Sequence, residues 1–175
     1  MKAASLHDGR FLDPDDLRRL FFEQVGVAAS ALLTSTSPAF HQRDAAPELG
    51  LESAAMVGFL AKRFGGAYVL GVKGPEARRP GLHDDWVGEL ANQLSGRVKN
   101  KLVSLGIEPY QVSPQVTIRG GELAVAQQLA DAALVYSSAG GECQVWISLS
   151  VYGRIFVAAP NDHERPPSEG EVLLF

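Results

Sequence analysis

One long amphipathic segment, residues 84–105, limits most strongly what this chain can fold into. Acidic residues stand at its beginning and basic residues near its end, as the helix dipole favours, and Gly106 can terminate a helix there. On a helical wheel the large apolar side chains fall within one broad sector: Val87, Leu90, Ala91, Leu94, Val98, Leu102 and Leu105. Because a helix with one apolar sector must bury it against another layer, the segment predicts a helix packed on a sheet.

Segments in the second half of the chain predict the strands of that sheet. Every second side chain of residues 143–151 is apolar, which is the pattern of a half-buried strand. Residues 115–119 alternate in the same way, residues 132–137 predict another strand, and residues 154–159 either extend the last strand or add one. Residues 122–131 fit either a short helix or a loop with one helical turn.

The first half of the chain predicts a second helix and a β-hairpin. Asp13 can cap a helix, Pro14 suits its first position, and apolar residues follow at helical spacing to about residue 33. Residues 34–49 lack periodicity and predict a loop with one short extended piece. Two apolar runs, residues 53–60 and 67–72, lie on either side of a glycine pair at positions 65 and 66, which predicts a hairpin that turns there.

Together these elements predict an α+β fold with two layers. Two main helices, residues 14–33 and 84–105, pack on one mostly antiparallel mixed sheet of about five or six strands. The predicted domain comprises residues 14–158, after an N-terminal extension of residues 1–13. A polar stretch with proline and glycine then predicts a flexible C-terminal tail, residues 159–175, whose tip is apolar: Val172, Leu173, Leu174 and Phe175.

Composition argues against several classes of function. A net charge of −4 over 175 residues gives no basic stripe for general nucleic-acid binding. One cysteine, Cys143, and four scattered histidines show no metal-ligand spacing, so no metal site is expected and Cys143 is expected in the core. No stretch approaches the roughly 18 apolar residues that span a bilayer. The first ten residues do not have the pattern of a secretory signal, so a cytoplasmic location without membrane contact is predicted.

The outward face of the long predicted helix carries the residues of most interest. Glu89 and Asn92 are three positions apart and are therefore neighbours on that face, with Asp85 and Trp86 near them. One turn further along, Gly96 leaves a low shelf, although a glycine in an exposed helix costs about 1 kcal/mol relative to alanine. Solvated helix faces often carry such residues without any function, so the spacing by itself does not select a chemistry.

Residues 86–102 resemble the signature helix of the CheX-type chemotaxis phosphatases, which share a superfamily with CheC and FliY. That family's pattern is Glu-x-x-Asn, with a glycine four residues later and a lysine soon after, and it is matched by Glu89, Asn92, Gly96 and Lys99. The flanks are similar as well: a hairpin precedes the helix, a strand introduced by Ser-Pro follows it, and two strands close the domain. The resemblance covers roughly residues 14–158 and is strongest over residues 86–120.

The resemblance implies a phosphatase of the aspartyl phosphate on a CheY-like receiver domain, in chemotaxis or related two-component signalling. In that family the Asn amide orients water for in-line attack, and the Glu pairs with the receiver's invariant lysine. These roles fall on Asn92 and Glu89. The chain would bind no cofactor of its own, because the Mg²⁺ belongs to the receiver. The other positions expected to contact the receiver are Asp85, Trp86, Gly96 and Lys99.

Several alternatives stay open at this point. The family places a further helix before the signature helix, whereas only residues 73–84 are available here, which favours a non-catalytic module that binds a receiver or a scaffold as the alternative function. The tail that ends at Phe175 either folds back onto its own domain or docks on a second protein. A homodimer also stays open. The glycine pairs lack the context of phosphate-binding loops, so a nucleotide enzyme is the weakest alternative.

Overall fold

The computed structural model describes residues 10–36, 40–44, 51, 53–73, 82–107, 111–138 and 141–157. In chain order the helices and strands are β1 (Arg10–Leu12), α1 (Pro14–Thr36), β2 (His41–Arg43), β3 (Ser53–Leu60), β4 (Phe64–Lys73), α2 (Leu82–Ser104), β5 (Gln111–Val112), β6 (Val116–Arg119), α3 (Gly120–Gln128), β7 (Ala132–Ser138), β8 (Gly141–Val151) and β9 (Ile155–Val157). The predicted tail, including Phe175, lies outside the described residues.

The strands form one large antiparallel sheet and one small one. The large sheet has the order β2-β7-β8-β4-β3-β5, and β6 pairs with the same edge of β3 as β5 does. The small sheet joins β1 to β9, so that Leu12, which precedes the predicted start of the domain, is buried in the main core. The α+β class is confirmed, with seven strands in the large sheet. The strands beyond the predicted number are two or three residues long, too short to show an alternating pattern.

Helices α1 and α2 pack against each other and cover one face of the large sheet. Helix α1 begins as predicted, because Asp13 Oδ1 accepts hydrogen bonds from the backbone N–H groups of Asp15 and Asp16 at 3.0 and 2.9 Å. Below it, the ring of Phe21 stacks on that of Phe59, with centroids 5.1 Å apart. Of the seven apolar side chains predicted to face the sheet from α2, six are buried, and Leu105 lies half-buried beyond the helix end.

Helix α3 covers part of the opposite sheet face, where a second, smaller core forms. Trp146 belongs to that core and is 7% exposed, and Gln144, two residues before it, is fully buried. The alternation of residues 143–151 predicts these side chains on the solvated face. The prediction is wrong for both, because this part of β8 lies between two cores rather than at the surface.

The predicted hairpin is confirmed, but its turn lies elsewhere. The chain turns at residues 61–63, between β3 and β4, and the glycine pair is inside β4. A Cβ atom at Gly66 would lie 1.9 Å from the backbone oxygen of Ser148 and 2.9 Å from the ring of Phe59. The glycine at this position is therefore explained by close packing between strands rather than by a turn.

Among the described residues, none of the helices has the length and apolar character that a membrane span requires.

Candidate functional site

The outer ridge of α2 brings most of the predicted site residues into one line. Asp85, Glu89, Asn92 and Gly96 are exposed, and Lys99 continues the line half-buried one turn later. Their spacings of four, three, four and three residues keep them on one side of a helix. The buried residues of α2 alternate with them and attach the helix to the main core, so the ridge lies on the opposite, exposed side of an anchored helix.

The remaining predicted contact residues are placed differently. Trp86 is half-buried and packs against the main core, so its indole contributes to the attachment of α2 as well as to the surface beside Asp85. Phe175 lies outside the described residues. The exposed line therefore consists of Asp85, Glu89, Asn92, Gly96 and Lys99, which together form the α2 ridge.

The carboxylate of Glu89 is held along the helix by the next turn. Gln93 Nε2 donates a hydrogen bond to Glu89 Oε1 at 2.8 Å. Side chains four residues apart on a helix face meet in this way, and a hydrogen bond of this kind leaves the second carboxylate oxygen unused by Gln93. The arrangement presents an oriented negative charge at the surface.

The amide of Asn92 is held from outside the helix. Asn92 Nδ2 donates a hydrogen bond to Gln115 Oε1, which lies in the connection between β5 and β6. Gln115 thus crosses from the sheet edge to the ridge. Because Gln115 accepts through its amide oxygen, the Asn92 carbonyl oxygen is left as an acceptor on the other side of the same amide group.

The connection that carries Gln115 is fixed to the edge of β3. Both β5 and β6 pair with β3, and the three residues between them leave the ladder opposite Gly58. The backbone N–H of Ser113 donates to the Gly58 oxygen, and the Gly58 N–H donates to Ser113 Oγ, each at 2.9 Å. Pro114 has no N–H that could continue the ladder, and the chain leaves the sheet at this residue. Gln115, the next residue, therefore lies close enough to α2 for its side chain to contact Asn92.

A glycine on α2 makes room for the Gln115 side chain. A Cβ atom at Gly88 would lie 2.8 Å from Gln115 Nε2 and 3.2 Å from its Cδ. Since real Cβ atoms do not approach neighbours so closely, any larger residue at this position must displace the glutamine. Gly88 lies one turn before Asn92, so the glutamine passes over the gap and reaches the asparagine beyond it.

Gly96 leaves open space on the ridge. A Cβ atom at this position would meet no heavy atom within 4 Å. Crowding within the described part of the chain therefore gives no reason for a glycine here. The shelf next to Asn92 is therefore open, as the sequence predicts, and another surface can approach the helix backbone there.

Cys143 takes no part in this surface. It is buried in the main core, and burial, followed by the nearby Glu142 charge, raises the pKa of its thiol to about 12. Tyr136 lies next to it in the sheet, and burial together with Cys143 raises the pKa of the phenol to about 12 as well. Neither group offers a nucleophile at neutral pH, and the expectation that Cys143 lies in the core is confirmed.

Other parts of the described surface offer no competing constellation. Among the residues that the structure describes, no three His, Cys, Asp or Glu side chains come together as a metal site would require. An apolar groove of about 710 Å³ lies between α3 and the second sheet face, beside Trp146 and Leu129. It contains no residue of the α2 ridge.

Two site residues, Gln93 and Gln115, are absent from the sequence prediction. Gln93 follows Asn92 directly and lies four residues after Glu89, so the helical spacing alone could have identified it as a partner of that carboxylate. Gln115 lacks such a signal, because its contact with Asn92 depends on the path of the β5–β6 connection. The one sequence feature that indicates it is the glycine at position 88 within a helical segment, since a glycine there allows another side chain to approach the helix backbone.

The architecture defines an α+β protein with the CheX-type fold, in which α1 and α2 cover one face of the sheet and α3 covers part of the other. CheX from Vibrio vulnificus matches with a TM-score of 0.56 and 16% identity, over 74% of this chain and 99% of that chain. CheX from Borrelia burgdorferi, in a complex with CheY, BeF₃ and Mg²⁺, matches with a TM-score of 0.57 and 16% identity, over 74% and 97%. A CheC-like protein from Shewanella oneidensis MR-1 gives 0.57 and 11%, with the same coverage. The likeness confirms the predicted fold.

Sequence comparison adds no further relative. No protein-family model matches the chain. No curated protein matches it in sequence either. The similarity to the CheX structures is therefore a similarity of fold, and the function has to be argued from the α2 ridge.

Proposed function

We propose that this protein binds a CheY-like receiver domain through the α2 ridge and hydrolyses the receiver's aspartyl phosphate. The observation that carries the proposal is the exposed pair of Glu89 and Asn92 on one helix face, each with its functional group held by a glutamine. A carboxylate and an amide held side by side at the surface suit a reaction in which the partner protein carries the phosphate and the metal ion.

The fold supports the choice of partner. The Borrelia burgdorferi CheX, which shares the fold, forms a complex with CheY in the presence of BeF₃ and Mg²⁺. The resemblance of residues 86–102 to the CheX signature helix supports the assignment of the corresponding Glu and Asn to Glu89 and Asn92. A receiver of the CheY type is therefore the partner that both the fold and the signature helix favour.

The proposed role of Asn92 is to position the attacking water. Its carbonyl oxygen accepts a hydrogen bond from water, and its second N–H is a donor, so the amide can fix both the place and the direction of the water molecule. Phosphoryl transfer needs positioning and electrostatic stabilisation more than covalent participation by the protein. An amide without a titrating proton is sufficient for that task.

The proposed role of Glu89 is to hold the receiver in register. Its exposed carboxylate would pair with the receiver's invariant lysine, at a site that becomes desolvated when the two surfaces meet. Charge complementarity across an interface fixes the relative orientation of the partners and raises the association rate. Because Gln93 already restrains the carboxylate, less side-chain freedom remains to be lost on binding.

The reaction breaks one bond and forms one. The oxygen of water attacks the phosphorus in line, the phosphorus–oxygen bond to the receiver's aspartate breaks, and the products are a free carboxylate and inorganic phosphate. The protons of water pass to the phosphate product and the solvent. The Mg²⁺ of the receiver supplies charge neutralisation, and this chain supplies the position of the water through Asn92.

The second candidate function is a module that binds a receiver without catalysis. It is favoured by the connection between β4 and α2, since β4 ends at Lys73 and α2 begins at Leu82, which leaves eight residues where the family has a further helix. Because only eight residues are available for that helix, we expect the surface beside the ridge to differ from the family's, whereas Glu89 and Asn92 match the family's pattern. Both functions therefore use the α2 ridge to bind the receiver, and they differ in whether the phosphate is hydrolysed.

One experiment separates these two functions. A Mg²⁺-bound receiver is phosphorylated, mixed with the full-length protein at several concentrations, and followed for both complex formation and phosphate release. The phosphatase is supported if phosphate release accelerates with protein concentration and saturates. Complex formation with an unchanged phosphate lifetime would establish the non-catalytic module instead.

A further inference from the structure

We infer that Gln115 is a positioning residue for Asn92, which selects the orientation in which the asparagine amide presents its carbonyl oxygen to the attacking water. The inference rests on the proposed function. It adds to the site a residue of the β5–β6 connection, which lies outside helix α2. Gln115 acts through Asn92 and needs no contact with the receiver.

The chemical basis is the asymmetry of the amide group. An asparagine amide has two N–H donors on one side and one carbonyl acceptor on the other. Gln115 Oε1 accepts a hydrogen bond and cannot donate one, so it stabilises only the orientation in which Asn92 Nδ2 faces it. In the flipped orientation two carbonyl oxygens would face each other. The hydrogen bond therefore selects one of two amide orientations.

Gln115 can restrain Asn92 because its own position is restrained. The paired hydrogen bonds between Ser113 and Gly58 attach the connection to the second half of β3. Ser113 Oγ also donates to the Pro114 oxygen at 3.0 Å, which stiffens the turn directly before Gln115. A glutamine on a free loop would have to order its backbone as well as its side chain to make the same contact. The backbone of Gln115 is already ordered, so the entropy cost of the contact is smaller.

The space over Gly88 fixes the direction in which Gln115 extends. The Nε2, Cδ and Cγ atoms of Gln115 would lie 2.8, 3.2 and 3.4 Å from a Cβ at this position. The aliphatic part and the amide of the glutamine therefore lie directly over the helix backbone one turn before Asn92. The structure thus contains both the hydrogen bond and the gap that it requires.

The size of the expected effect follows from counting conformations. An exposed asparagine has three staggered χ1 positions and two amide orientations, or about six states, of which one is productive. Loss of the restraint is expected to lower the turnover number about three- to tenfold at saturating receiver. The affinity for the receiver is expected to stay within about twofold, because Gln115 positions an amide and not the partner.

The first test compares three substitutions in the phosphorylated-receiver assay. Gln115→Met keeps the length and removes the acceptor, so turnover falls at saturating receiver. Gln115→Glu keeps an acceptor oxygen at the same distance, so its turnover is expected to stay close to the parent value. Gln128→Met, on the exposed side of α3, is the matched control and is expected to leave turnover unchanged.

Gly88→Ala offers an independent variant of the same contact. The added methyl group displaces Gln115 while the glutamine itself stays in the chain, and alanine is a better helix former than glycine. The expected result is a melting temperature equal to or above that of the parent together with a three- to tenfold lower turnover. Lower turnover in a protein that is not destabilised cannot be ascribed to loss of folding.

A second measurement decides the inference without any catalysis. The NMR order parameter of the Asn92 side-chain amide is measured in the free parent protein and in Gln115→Met and Gln128→Met. A drop in Gln115→Met alone supports the inference, and an equal value in all three overturns it. If the parent shows no phosphatase activity, the proposed function fails, and the order parameter still reports whether Gln115 positions Asn92.

Discussion

The Asn92 side chain donates a hydrogen bond to Gln115 Oε1, which joins two residues that are 23 positions apart in the sequence. The bond connects the outer ridge of α2 to the edge of the sheet. It gives the proposed water-positioning amide a defined direction before any partner arrives. The proposed function depends on such order, because an amide that contributes only by position must already be in position when the phosphorylated receiver binds.

The charge of Glu89 is expected to act on receiver binding. Glu89→Gln keeps an oxygen that can accept from Gln93 and removes only the negative charge. Affinity for the phosphorylated receiver is expected to fall about tenfold at low salt, or about 1.4 kcal/mol, and the salt dependence of binding is expected to flatten. Titration calorimetry at two salt concentrations measures both effects.

Glu122 is the matched control for this charge. It is exposed at the start of α3 and borders the apolar groove on the second sheet face, which contains no residue of the α2 ridge. Glu122→Gln is expected to bind the receiver as tightly as the parent at both salt concentrations. Equal losses in Glu89→Gln and Glu122→Gln would show that net charge, and not the position of Glu89, governs binding.

Gly96 is expected to matter for the partner and not for the fold. Gly96→Ala removes a poor helix former at an open position, so the free energy of unfolding should rise by about 0.5–1 kcal/mol in urea titrations. Gly96→Trp should weaken receiver binding at least tenfold, because the indole fills the shelf beside Asn92. Gln128→Trp, at an exposed position on α3, is the control for the added bulk. Full affinity in Gly96→Trp would place the interface elsewhere.

The buried thiol of Cys143 is expected to make stability depend on alkaline pH. Burial raises its pKa from 9.0 to about 12 in the folded protein, whereas in the unfolded chain it ionises near its ordinary value. Between pH 9 and 11 the unfolded state therefore binds fewer protons than the folded state, and stability falls as pH rises, by up to about 1.4 kcal/mol per pH unit from this group. Urea unfolding at pH 8 and pH 10 measures the loss.

Cys143→Ala separates this effect from the other titrating groups. Tyr136, whose pKa is also raised by burial, still contributes above pH 10 in the variant. The variant should therefore lose less stability than the parent between pH 8 and pH 10, although its stability at pH 8 is lower because of the smaller side chain. Parallel losses in the two proteins would contradict the assigned environment of the thiol.

The sequence predicts the α2 ridge well because the ridge depends on local periodicity. The spacing of apolar residues in α2 assigns its buried and exposed sides, and the structure places Glu89, Asn92 and Gly96 on the exposed side as predicted. Leu105 departs from the prediction only because α2 ends at Ser104. A helix three turns or longer with one apolar sector carries enough repeats for such an assignment.

Features that depend on distant parts of the chain are not predictable in this way. Gln144 and Trp146 have the alternation of a solvated face, but both are buried, and Trp146 belongs to the second core beside α3. Helix α3 itself has no clear apolar sector, so its segment remains ambiguous at the sequence level. Gln115 reaches Asn92 only through the break between β5 and β6. No local pattern encodes that path.

The most direct test of the proposed phosphatase compares phosphate release from a Mg²⁺-bound phosphorylated receiver with the parent, Asn92→Ala and Asn100→Ala. Both asparagines are exposed on α2, so the two variants lose the same group from the same helix. We expect the parent and Asn100→Ala to shorten the phosphate lifetime equally, and Asn92→Ala to be slower by about 10- to 100-fold, because a misplaced reactant costs rates of that order. Equal phosphate lifetimes with the parent and with Asn92→Ala would contradict the proposed mechanism.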